Sequence, residues 1–171
     1  MLKKVILTVF IVFIVFVLAF GYAFSNLKSE SVYYAQHTPH SKQAEPVLME
    51  VALNLDWIYA PDVKGIKYDY DGYRNIYNYN YAKREAPSFC FWASGEYEYF
   101  DGDSLNYVFD RKFKLVEVWN SDTLKRVSKN VDLAAVKKDI YRTVQPVIDA
   151  QSEPLINLQW LYDWVNKDRF N

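Results

Sequence analysis

An unbroken apolar run extends from Val5 to Phe24, led by Lys3 and Lys4 and followed by no charge until Lys28. Twenty helical residues rise about 30 Å, the thickness of a bilayer's hydrocarbon core. The run has no polar face, which argues against an amphipathic first helix of a water-soluble domain. It divides the chain. Residues 1–25 form a membrane anchor or signal peptide, and whatever folds in water is made from the rest.

Two readings of the run remain. A cleavable signal has an apolar core of about 7–15 residues and small residues ahead of the cut. Ala19-Phe20-Gly21 and Ala23-Phe24-Ser25 offer such residues, but the run is longer than that class needs, which favours an uncut anchor. Lysines ahead of the run keep that end cytoplasmic and send the C-terminal bulk across. The expected place is a cell membrane, spanned once through residues 5–24 with the domain outside. The alternative is a periplasmic or secreted protein after cleavage. Cys90 is the one cysteine and lies far from the run, so lipid attachment behind the run is excluded. A type IV pilin would carry a glycine ahead of the cut and a glutamate within the helix; the run has neither.

Residues 26–45 are polar and contain His37, Pro39 and His40, the composition of a loosely ordered tether. Residues 46–171 have the size of one ordinary domain. Beyond residue 25 lie all 21 acidic residues and all but two of the 20 basic ones. That balance builds no strong field of either sign and argues against nucleic acid. A single cysteine permits no internal disulfide, so the fold rests on its core.

The pattern along the domain is helix, strands, helices. Leu48, Val51, Leu55 and Ile58 recur at spacings of three and four behind Pro46, which predicts a helix to about Tyr59. Period two then takes over. Ile66, Tyr68 and Tyr70 alternate with Lys67 and Asp69, and Asp71-Gly72 is a two-residue hairpin signal. That turn would set Tyr70 against Tyr73, Tyr68 against Asn75 and Ile66 against Tyr77. One face would then carry Tyr68, Tyr70, Tyr73, Tyr77, Tyr79 and Tyr81. Further strands are expected at 88–93, 96–100, 105–109 and 113–119. A helix capped by Ser128 or Asn130 carries Leu133, Val136, Ile140, Val144 and Val147, and Pro146 should kink or end it. Pro154 opens a last helix with Trp160 and Trp164 four apart. Strands grouped between helices imply an α+β fold: an antiparallel sheet of about 5–6 strands with the helices on one face.

The chain is poor in catalytic chemistry. Gly65, Gly72, Gly95 and Gly102 are too far apart for a phosphate-binding loop. Both histidines lie in the tether, so no Ser–His or Cys–His pair is expected in the domain, and a metal would lack a formed site. Asp101-Gly102-Asp103 lacks the further carboxylates of a calcium loop. Asp69, Asp71, Glu96, Glu98, Asp101 and Asp103 could serve a carboxylate-based hydrolase, but they suit turns and a solvated strand face better. Cys90, between Phe89 and Phe91, reads as a small buried hydrophobe. No catalytic residue, metal or cofactor is therefore expected.

Aromatic content, with 15 Tyr, 11 Phe and 5 Trp, is the outstanding feature. The tyrosine face and the Trp160/Trp164 stripe are either core or contact surface. The leading expectation is a non-enzymatic binding or accessory protein at the outer face of a membrane, acting by contact with an envelope protein. The alternative is a module for cell-envelope glycan or another small ligand.

Overall fold

The computed structural model describes residues 2–58, 62–70 and 73–170, with the side chains of Leu2 and Tyr73 left aside. Among these the chain forms five helices and a seven-stranded antiparallel sheet. The helices are α1 (Leu2–Ser29), α2 (Ser31–His37), α3 (Pro46–Leu53), α4 (Leu133–Asp149) and α5 (Gln159–Asn166). The strands are β1 (Ile66–Asp69), β2 (Tyr73–Asn78), β3 (Ser88–Trp92), β4 (Tyr97–Phe100), β5 (Leu105–Phe109), β6 (Leu115–Asn120) and β7 (Lys125–Arg126). The expected α+β class is the observed one, and the short β7 raises the strand count. All strands pair in sequence order, a plain meander.

The sheet has a covered and an open face. Ile76, Phe89, Tyr99, Tyr107 and Val118 pair directly across five strands and are all buried. Helices α3 and α4 cover this row where it crosses β2 and β3, while α5 packs on α2 and α2 on α3. Directly paired residues share a face, so Tyr77, Ser88, Phe100, Asn106 and Trp119 line the other, more open side, where Ser88 and Asn106 are themselves buried.

The β1–β2 register differs from the expected one. Ile66 pairs with Asn78, Lys67 with Tyr77, Tyr68 with Ile76 and Asp69 with Asn75. This is a slip of one residue, and a slip of one exchanges the faces of β2. The reason is Ile76, the aliphatic residue of β2, which is fully buried against Phe89. Burying it leaves no polar atom dry, whereas the expected register would have buried the phenols of Tyr73 and Tyr77. The first domain helix ends at Leu53, with Asn54 as its C-cap and a turn through Ile58, short of the expected end near Tyr59; the turn Asp71-Gly72 lies outside the described residues.

The stretch 26–45 is more ordered than its polarity suggests. α1 continues past the apolar run to Ser29, and α2 follows with Val32, Tyr34 and Ala35 buried in the core.

Helix α4 is capped by Asp132, whose Oδ1 accepts from the backbone N–H groups of Ala134 and Ala135, both at 3.1 Å. Pro146 sits inside the helix and does not end it. Pro154 is buried ahead of α5, which starts only at Gln159. In the β5–β6 turn Phe113 takes a left-handed backbone, φ 59°, and its ring stacks on Phe109 with centroids 4.6 Å apart. Burial of that ring offsets a conformation that non-glycine residues avoid.

Candidate functional site

The six tyrosines do not form one surface. Tyr68 lies on the covered side, partly buried against the core. Tyr70 is exposed at the end of β1. Tyr73 belongs to β2, and its side chain is not among those described. Tyr77 and Tyr79 come together, with ring centroids 6.4 Å apart and the Lys67 ammonium 4.9 Å from the Tyr79 ring. Tyr81 turns away to α4. Its hydroxyl donates to the Arg142 carbonyl at 2.6 Å, under the Arg142 guanidinium 4.2 Å from its ring. The buried aromatic core is built instead by later strands and turns: Phe89, Tyr97, Tyr99, Tyr107, Phe109 and Phe113.

Trp160 and Trp164 are the exposed aromatic pair. They are 69% and 74% exposed on α5. The opposite side of that helix explains why. Tyr162 is buried, and Gln159 donates to the Tyr34 carbonyl at 3.0 Å and to Asp163 at 2.8 Å. Asp163 in turn accepts from the Thr38 hydroxyl. These bonds fix the polar and tyrosyl side of α5 against α2, so the four-residue spacing of the tryptophans places both outward. Trp164, with Thr38, Pro39, Asp163, Asn166 and Lys167, lines a groove of about 340 Å3.

A second concavity, about 380 Å3, lies between α4 and the strand ends and is lined by Lys83, Tyr99, Asp101, Tyr107, Asp139 and Arg142 among others. The Tyr99 hydroxyl donates to Asp139 Oδ2 at 2.5 Å, and Lys83 Nζ approaches the same oxygen at 3.3 Å. Arg142 lies 4.0 Å from the other carboxylate oxygen. Burial, and then the hydrogen bond to Asp139, push the Tyr99 phenol far above its ordinary value, so it remains a donor. Asp139 is thus engaged on both oxygens. Neither Asp139 nor Arg142 was marked by motif or spacing, because the fold assembles this cluster from separate elements. Asp101 Oδ1 accepts three backbone N–H groups of its own turn, from Asp103, Ser104 and Leu105.

On the open face Cys90 is buried, and its thiol is pushed up to about 12 by burial and then by the neighbouring Glu98 carboxylate. It is a poor nucleophile near neutral pH. Glu98 accepts from Trp92 Nε1 at 2.7 Å. His37 Nδ1 donates to the Tyr33 carbonyl at 2.8 Å, and His40 Nδ1 to that of Thr38 at 2.9 Å. Among the described residues no group of three or more His, Cys, Asp or Glu side chains is placed to hold a metal ion.

α1 is long and apolar enough to span a membrane or act as a signal, and none of its apolar stretch is buried against the domain. The sequence matches no family model, and neither the curated proteins nor the solved structures contain a match to the chain.

Proposed function

We propose that the protein is a membrane-anchored accessory protein that binds an envelope protein partner through the outer face of α5. In this reading α1 spans the membrane with Lys3 and Lys4 on the cytoplasmic side, and the α+β domain stands outside. The observation that carries it is the exposure of Trp160 and Trp164 on a helix whose other side is already bonded to α2. Large exposed aromatics are enriched where proteins meet, and tryptophan leads among residues that dominate binding energy. The groove beside Trp164 supplies a concavity for a partner side chain.

The test is site-specific photocrosslinking in native membranes, with a benzoylphenylalanine placed at 160 or 164 and, as control, at Lys112 in the β5–β6 turn. A single discrete adduct from 160 and 164 but not from 112, lost in Trp160→Ala/Trp164→Ala protein probed from Val165, supports the reading. Equal or absent adducts at all positions overturn it.

A second reading rests on the cleft beside α4. Lys83, Lys138 and Arg142 wall it and the stacked rings of Tyr99 and Tyr107, with centroids 6.0 Å apart, line it. Cations and aromatic rings in one cleft suit a small anionic or sugar-like ligand. Ligand-induced protection of amides around Asp139, without effect at α5, would favour this reading over the first.

A further inference from the structure

The junction between α1 and the domain is built as a clamp. Phe24 and Lys28, four residues apart, share one side of α1. Trp57 packs edge-on against the Phe24 ring with centroids 5.9 Å apart, and Lys28 Nζ donates to Asn54 Oδ1 at 3.1 Å. Asn26, two residues from each, points to the opposite side. There its side chain donates to the Ile156 carbonyl at 3.4 Å and accepts from the Tyr34 hydroxyl at 2.6 Å. The turn after α3 and the segment before α5 therefore grip α1 from two sides, at the level where the apolar run ends.

That level locates three exposed apolar side chains. Asn26 stands two residues beyond Phe24, about 3 Å further along the helix axis. Ile156 is bonded there and Trp57 touches Phe24 itself. Trp57 is 47% exposed, Ile156 51%, and the adjoining Leu155 97%. Water-exposed side chains of this size are unfavourable, but the headgroup–acyl boundary accepts them, tryptophan most readily.

We propose that the domain does not swing free of the membrane but rests on the outer leaflet of the bilayer that α1 spans. Trp57, Leu155 and Ile156 are its lipid-contacting rim. The inference builds on the membrane-anchored reading above and adds a lipid surface as a second contact. It separates two apolar surfaces by height. Gln159 lies beside Tyr34 and Asp163 beside Thr38, so α5 runs alongside α2 away from the rim and carries Trp164 with it.

The test is depth-dependent fluorescence quenching on full-length protein in phosphatidylcholine nanodiscs. Single cysteines are introduced as Trp57→Cys, Leu155→Cys, Ile156→Cys, Val17→Cys and Lys112→Cys, with buried Cys90 left in place, and each is labelled with an environment-sensitive dye. Lipids brominated near the headgroup end of the acyl chain should remove most of the emission at 57, 155 and 156, and none at 112. Quenching at 17 but not at 155 and 156 overturns the docking while leaving the anchor intact. No quenching at 17 from lipids brominated deep in the chain removes the membrane reading itself, and the docking with it. Dye at 155 that is shielded from iodide in native membranes, yet unquenched by lipid in nanodiscs, assigns the rim to a protein and also overturns the proposal.

Discussion

The hydroxyl of Tyr81 donates to the backbone carbonyl of Arg142 at 2.6 Å, in the middle of α4. Four residues on stands Pro146, which has no N–H to give to that carbonyl. Tyr81 supplies the missing donor from outside the helix, and this lets α4 run through its proline to Asp149. Tyr81→Phe should therefore lower stability by about 0.5–1.5 kcal/mol. The effect should shrink in a Pro146→Ala background, where the helix provides its own donor. Denaturant unfolding of the four proteins of this cycle measures the coupling; strict additivity would refute it.

A buried hydroxyl joins α1 to the domain. Tyr34 donates to Asn26 and accepts from the Leu158 backbone N–H at 3.0 Å, at zero solvent exposure. Tyr34→Phe takes this partner from Asn26 Oδ1 and from the Leu158 N–H, and the expected loss is about 1–3 kcal/mol. Unfolding of the full chain in detergent gives the number. A change within error of zero would mean that water replaces the phenol.

The register of β2 is open to a direct comparison. Ile76→Ala removes a fully buried side chain beside Phe89 and should cost about 2–5 kcal/mol. Tyr77→Ala, on the open face, should cost clearly less. If the order reversed, the tyrosines rather than Ile76 would face the helices.

Arg169 tethers the C-terminal end to α3 through an ion pair with Glu50, a carboxylate 1% exposed that also accepts from Asn54. Replacing one member strands the other. Arg169→Met should destabilise by about 3–5 kcal/mol, and Glu50→Leu added to it should recover much of the loss. A double variant as unstable as the single one would show that packing around the site, and not the lone charge, sets the penalty.

Glu98 gives the open sheet face a pH signature. Burial raises its carboxyl above the ordinary value of 4.5, against the lowering effect of the Trp92 N–H bond, with Glu96 raising it further. A carboxyl raised on folding contributes stability that is fully present below its unfolded value and is lost as pH rises through the folded one. The stability of the parent protein relative to Glu98→Gln should accordingly fall as pH rises above 4.5, then level off. A flat difference across that range would mean that Glu98 is solvated as in the unfolded chain.

Much of this architecture was legible along the chain because it depends on local periodicity. The run Val5–Phe24, the helical stripe behind Pro46, the alternation in the strands and the spacing from Leu133 to Val147 each state their element within a few turns or pleats. The relations across the chain were not legible. Residues 26–45 read as a tether because polarity is counted residue by residue, while Tyr34 and Asn26 are ordered by partners more than a hundred residues away at Ile156 and Leu158. The tyrosine face was misplaced because Asp71-Gly72 suggested one hairpin register, and the deciding energy, burial of Ile76 against Phe89, belongs to the next strand pair. The cluster of Lys83, Tyr99, Asp139 and Arg142 had no spacing to announce it. By itself the sequence determined the anchor-like run, the α+β order of elements and the wealth of aromatics. Which aromatics are core and which meet the outside was decided only by tertiary structure, because a side chain's environment is set by what packs opposite it, and that partner is rarely a neighbour in sequence.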